Sequence, residues 1–200
     1  MRVVETQIFK FSELDESSQQ NARDWWLQHF EFETDYIFDD FQEISDILGI
    51  DFSIRRGSKS TLAIYFSGFC TQGDGASFEG SYSYKKGAPK AVARYAPEDV
   101  ALKRIATELQ KIQKKVFYSF TSKITTCGRY QNSSAMGFEN NAILGNLEDI
   151  EGDIEEALRD FANWMYGKLE NEYTYQTSND IVDENIEANE YEFYKNGERV

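Results

Sequence analysis

Proline is nearly absent from this chain, with only Pro89 and Pro97 in 200 residues. No proline-, glycine- or serine-rich linker divides it, and its length suits one domain or a domain with an appendage. Cysteine is scarce too: Cys70 and Cys127 are too few for a disulfide scaffold and lack CxxC spacing. His29 is the lone histidine. A Cys–His nucleophilic pair or a zinc site would have to be assembled from widely separated single residues, so no catalytic residue and no metal or other cofactor is expected. No apolar run approaches the roughly 18 residues of a membrane span. The first residues, Met1-Arg2-Val3-Val4-Glu5-Thr6-Gln7, hold no apolar stretch of signal-peptide length. The expectation is a cytoplasmic protein with no membrane partner.

What is abundant is aromatic and acidic. Fifteen Phe, twelve Tyr and three Trp predict an aromatic-rich core. The formal net charge is −14, unevenly spread. Residues 1–49 carry a net −9, residues 50–137 a net +8, and residues 138–200 a net −13. Such a chain either folds so that its segments neutralise one another or presents a basic face on an acidic body. Overall acidity argues against non-specific coating of nucleic acid, because phosphate binding scales with local positive charge.

Periodicity predicts the elements. Residues 3–10 read as a short strand. A helix over 13–29 follows, with Ser12 as N-cap and Leu14, Ala22, Trp25 and Trp26 on one face. A second helix over 35–48 starts after Thr34; Ile37, Phe41, Ile44 and Leu48 form its stripe and Gly49 its stop. Strands are expected at 50–56 and 61–69, the latter central and covered on both faces, then at 80–86 and, more weakly, at 91–95. Pro97-Glu98-Asp99 opens a third helix striped by Leu102, Ile105, Leu109, Ile112 and Val116. Strands over 117–126 and 129–138 turn at Cys127-Gly128. A last helix is expected over 147–169. The acidic end, 172–200, holds the aromatic segments 173–175 and 191–194, read as short strands or a loosely docked tail. Grouped hairpins with helices between them imply one α+β domain over 1–200: a mainly antiparallel sheet of hairpins packed by about four helices.

The stretch from Ser67 to Gly80 is the best candidate site. Four glycines, Asp74 and Gln72 lie between two strand signals, a connection longer than a plain hairpin needs. It has neither GxxxxGK[ST] nor GxGxxG, and a carboxylate between Gly73 and Gly75 would repel phosphate. Three readings stay open. Asp74 caps neighbouring amides in a purely structural loop; Phe69, Gln72, Asp74 and Phe78 form a binding surface; or Gln72, Asp74, Ser77 and Glu79 help hold a cation. A second tip follows at Cys127–Met136, where Tyr130, Asn132 and Ser134 would share one strand face. If the tips are neighbours, Tyr130 and Asn132 extend the first surface.

Two charged candidates complete the set. Lys103, Arg104, Lys111, Lys114 and Lys115 share a helix, with Lys85, Lys86, Lys90 and Arg94 upstream and Tyr82, Tyr84 and Tyr95 placed to stack on bases. This basic segment, 85–115, is the alternative nucleic-acid surface. The acids Glu148, Asp149, Asp153 and Glu156 are the candidate face for a basic protein partner.

The run Phe66-Ser67-Gly68-Phe69 through Gln72-Gly73-Asp74-Gly75-Ala76-Ser77-Phe78-Glu79-Gly80 resembles the signature of an uncharacterised family of phages and mobile elements. Its members are loosely labelled antitoxins of toxin–antitoxin stability systems. The resemblance continues through Tyr95-Ala96-Pro97, Leu109-Gln110 and Gly128-Arg129-Tyr130 to Met136, spanning about residues 8–140. It implies a prokaryotic host cell and supplies no catalytic residue. Where relatives carry a histidine near the second hairpin this chain has Asn132, so no imidazole role transfers. The expected function is that of a non-enzymatic accessory protein that binds and modulates a host or element-encoded protein, as an antitoxin or an anti-defence inhibitor. The alternatives are nucleic-acid binding through the basic segment and a small-ligand or enzyme site at the glycine loop.

Overall fold

Strand and helix signals of the sequence resolve, in a computed structural model, into an α+β fold. The structure describes residues 6–148 and 150–200. In chain order the elements are β1 (Phe9–Lys10), α1 (Glu16–Gln28), α2 (Asp35–Leu48), β2 (Ile50–Phe52), β3 (Ile64–Ser67), β4 (Gly75–Phe78) and β5 (Gly80–Ser83). They continue with α3 (Ala88–Tyr95), α4 (Val100–Lys115), β6 (Phe120–Thr126), β7 (Met136–Ala142), α5 (Glu151–Gln176), α6 (Asn179–Ala188) and β8 (Glu192–Phe193). The two helices beyond the expected four are the short α3 and α6. No helix among the described residues is long and apolar enough to cross a membrane.

Two compact units make up the chain: Thr34–Leu169, and the residues up to Glu33 together with Glu170–Val200. In the larger unit β2, β5, β6 and β7 form an antiparallel sheet in the order β2-β5-β6-β7. Burial alternates along β2, β5 and the first part of β6, so one face is covered and the other meets water. Phe161 of α5 stacks on Phe52 of β2 and meets Phe78 of β4 edge-on, while Trp164 meets Phe41 of α2. The aromatic core expected from composition is therefore present. Gln113 of α4 is fully buried; its amide donates to the Phe120 carbonyl at 3.0 Å and accepts from the Phe120 N–H at 3.3 Å, tying helix to sheet.

The smaller unit has its own core. Phe11, Leu14 and Ala22 pack with Val182, Ile186 and Phe193, and Phe9, Trp25, Trp26 and Tyr191 close over them. β1 pairs with β8, bringing Phe9 opposite Phe193. Arg23, buried, donates to both carboxylate oxygens of Asp183 at 2.7 and 2.8 Å. The acidic C-terminal residues, for which a loosely docked tail was one reading, thus include α6 and β8 and fully buried side chains.

Several sequence expectations are corrected. Asp15, not Ser12, caps α1 by accepting from the Ser18 N–H at 2.9 Å; Phe11–Glu13 form a 3₁₀ turn instead. Of the strand expected at 3–10, residues 3–5 lie outside the described residues, and among the described ones Phe9–Lys10 are paired. Residues 91–95 belong to α3, because Gly87 and Pro89 start a helix whose Ala88 and Val92 point inward. α2 matches its expected bounds, and Gly49 ends it at φ 85°. β3 is not a doubly covered central strand: its ladder partner is β4, and three of its four residues are half-buried. α5 runs through 173–175, where strand propensity yields because Tyr173 packs on Phe30 and Phe32.

Candidate functional site

The glycine stretch is mostly sheet. Ser67 pairs with Gly75 and Ile64 with Phe78, leaving only residues 68–74 as the β3–β4 loop. All four residues of β4 are buried. Phe78, expected at the displayed surface, is instead in the core against Phe52 and Phe161. Burial of a phenylalanine side chain is worth about 1.5–3 kcal/mol, which outweighs any reason to display it.

Asp74 closes the loop. Its carboxylate accepts from the backbone N–H of Thr71 at 2.7 Å and of Cys70 at 3.0 Å. These bonds, the Thr71 one foremost, hold its pKa below the usual carboxylate value against the opposing effect of burial. The carboxylate is therefore spent on the loop itself, as the structural reading expected. Phe69 is half-buried and stacks between Phe66 and Tyr166, and the Tyr166 hydroxyl donates to the Gly68 carbonyl at 3.0 Å. Helix α5 thus anchors the loop through a tyrosine with no local sequence signal.

The second tip spans residues 127–135 between β6 and β7. Tyr130, Asn132 and Ser134 do not share a strand face, because β7 begins only at Met136 and a 3₁₀ turn occupies 133–135. Asn132 caps that turn through the Ser134 N–H at 3.1 Å. Its amide nitrogen reaches across and donates to the Gly73 carbonyl at 2.9 Å. A Cβ on Gly75 would lie 2.5 Å from the Asn132 Cβ, so glycine there is what allows the approach. The Tyr130 ring packs beside Gly73. Glu79 adds a second tie, accepting from the Thr126 hydroxyl at 2.7 Å. The two tips are thus brought together. Gln72 is exposed, and Tyr130 is 64% exposed.

The four residues of the cation reading have separate surroundings: Asp74 caps amides, Glu79 accepts from Thr126, Ser77 is buried without a hydrogen-bond partner and Gln72 is exposed. Among the described residues no cluster of His, Cys, Asp and Glu is suited to a metal ion. Cys70 and Cys127 are exposed thiols. His29 is exposed at the end of α1, with Nδ1 2.8 Å from the Trp25 carbonyl.

The basic and acidic candidates meet each other. Arg104 pairs with Asp160 at 2.9 Å and Lys115 with Asp153 at 3.0 Å, between α4 and α5. Lys111 pairs with Glu108 at 3.3 Å, and Lys103 Nζ donates to the Pro97 carbonyl at 2.7 Å. A groove of about 310 Å³ between the helices is lined by Arg104, Lys111, Asp153, Glu156 and Asp160. Glu148 and Lys114 are exposed, and Asp149 lies outside the described residues. Of the tyrosines expected to stack on bases, Tyr82 is buried, and desolvation pushes its phenol up. Tyr84 packs tilted against Tyr118, and Tyr95 donates to Asp40, which pushes its pKa up to about 12.

Comparison with known proteins found one family, described as Domain of unknown function (DUF8835), over residues 34–179. No curated protein and no solved structure matches the chain. The matched span covers both tips and the whole four-stranded sheet, and the chain belongs to this domain family of unknown function.

Proposed function

We propose that the chain is a non-enzymatic accessory protein of a phage or mobile element, which binds and modulates a host or element-encoded protein through the joined tips at 68–74 and 127–135. The Asn132–Gly73 hydrogen bond carries this reading, because it clamps one tip to the other beneath an exposed tyrosine. A surface already held in one arrangement loses less entropy on docking than two free loops would. Tyrosine and arginine are the residue types that anchor protein interfaces, and Tyr130 and Arg129 stand side by side on the outer tip. The net charge of −14 favours encounter with a basic partner. The resemblance of the 66–80 string supports the phage or mobile-element setting.

The test is affinity purification from a host lysate at physiological salt, comparing the wild type with a Gln72→Ala/Tyr130→Ala variant. The expected result is a defined partner retained by the wild type and lost by the variant at unchanged Tm. Recovery of no partner by the wild type, or equal recovery by both, overturns the reading.

A further inference from the structure

The sheet end away from the tips carries two unusual features together. α4 finishes in a left-handed cap: Tyr118 N–H donates to the Gln113 carbonyl at 2.7 Å and Phe117 N–H to the Lys114 carbonyl at 3.4 Å. This pair of bonds ordinarily places glycine at the first residue past the helix end. Here Phe117 occupies it, at φ 52°, and Tyr118 follows it at φ 62°. Bulky side chains in that region cost about 1–3 kcal/mol each and persist only where the surroundings impose them. The buried Gln113, bonded to both backbone groups of Phe120, imposes them. The Phe117 side chain gains no burial in return, because it is 71% exposed.

Strand order assembles the neighbours. β5 ends at Ser83, β6 begins at Phe120 and β7 ends at Ala142, and all three ends lie together because the ladder is antiparallel. Tyr84, just past β5, packs tilted against Tyr118 with ring centroids 4.4 Å apart. Past β7, Leu144 N–H donates to the Ser119 hydroxyl at 3.0 Å; Ile143 is 81% exposed and Leu144 is exposed. Phe117, Tyr118, Ile143 and Leu144 therefore form an apolar patch on one edge of a strongly acidic protein. Contiguous exposed apolar surface of this kind marks an interaction site.

The charged rim says what fits it. On the β5 side the exposed Lys85 and Lys86 follow Tyr84, and on the β7 side the exposed Glu148 follows Leu144; Lys114, just before Phe117 in the chain, is exposed too, while Lys115 is already paired with Asp153 at 3.0 Å. A two-fold interface places each patch against its own copy with the ends exchanged, so basic meets acidic twice. The mixed rim is unsuited to an anionic bilayer, which the acids would repel. We propose that this sheet end is a self-complementary surface through which two copies of the chain associate, Phe117 and Ile143 burying against the partner copy and Lys85 and Lys86 facing its Glu148. Four apolar side chains fall short of the about 800 Å² per partner of a standard interface, so the rim takes part and the dimer forms reversibly with concentration.

Sedimentation equilibrium up to about 1 mM, at low and at physiological salt, tests this. The wild type is expected to dimerise. Phe117→Gly, which relieves the left-handed strain, should keep or raise Tm while weakening the dimer at least about tenfold. Ile143→Ser, at an exposed position, should weaken it likewise. Lys85→Glu/Lys86→Glu and Glu148→Lys should each weaken it, and their combination in one chain should restore it. A wild type monomeric throughout, equal dimerisation of Phe117→Gly and wild type, failure of the combined charge exchange to restore, or binding of the monomer to anionic phospholipid vesicles through this patch each overturns the proposal.

Discussion

Gly80 stands where β5 begins, and a Cβ there would lie 2.2 Å from the Asp51 carbonyl oxygen. That neighbour is backbone of the paired strand β2, so nothing nearby yields. Gly80→Ala is expected to cost about 1–3 kcal/mol, read as a lower urea midpoint at unchanged m. Asp74 makes a different prediction. Its folded-state pKa is depressed from 3.8, so its contribution is present above the unfolded value and is lost as pH falls through the lower folded one. Asp74→Asn should therefore narrow the Tm difference from wild type as pH drops below about 4, and a difference that is constant from neutral to acid pH would contradict it. That this residue caps its own loop was one of three roles the sequence left open, since aspartate between glycines also suits a binding surface or a cation, and the bonds to Cys70 and Thr71 show the cap. That Asn132 reaches Gly73 was not, because a contact across 59 residues leaves no local pattern.

Elements follow their stripes, and their ends depend on single side chains. Asp99 caps α4 by accepting from the Leu102 N–H at 2.9 Å. Its other oxygen accepts from Trp164 Nε1 at 2.9 Å and Lys168 Nζ at 2.8 Å, so it also binds α4 to α5. Burial opposes its ionisation, but the bonds from Lys168, Leu102 and Trp164 together hold its pKa down. Asp99→Ala removes the cap and leaves the indole N–H without its partner. The expected loss is about 2 kcal/mol or more by chemical denaturation, against about 1 kcal/mol for a cap alone. α2 and α4 were readable because apolar residues alternating in steps of three and four admit one structure. The 91–95 segment was misread because alternate small and apolar residues suit a strand as well as a short helix, and Gly87 with Pro89 decides between them. Tyr173–Tyr175 is helix, not strand, because aromatic strand propensity is overridden once the Tyr173 ring finds Phe30 and Phe32.

At the scale of the whole molecule, charge is the dominant sequence feature, and pairing decides its meaning. The basic centre faces acids of α5 through Arg104–Asp160 and Lys115–Asp153. Exposed pairs of this sort add little stability, about 0–1 kcal/mol each, but they lower the local positive potential that a phosphate backbone needs. Binding of single- or double-stranded nucleic acid is expected to be negligible and flat with salt in a fluorescence-anisotropy titration. A measured affinity that falls steeply as salt rises would return the basic segment 85–115 to the first rank.

The sequence by itself determined the α+β class, the main helical stripes, the stop at Gly49 and the existence of two glycine-bearing tips. Each rests on periodicity or on backbone preferences that act within a few residues. Only the tertiary structure decided that Phe78 is core, that Asn132 joins the tips, that Arg104 and Lys115 of α4 face acids of α5, and that Phe117, Tyr118, Ile143 and Leu144 converge at one end of the sheet. Strand register and helix docking set those contacts, and they couple residues too far apart in the chain for any local preference to encode.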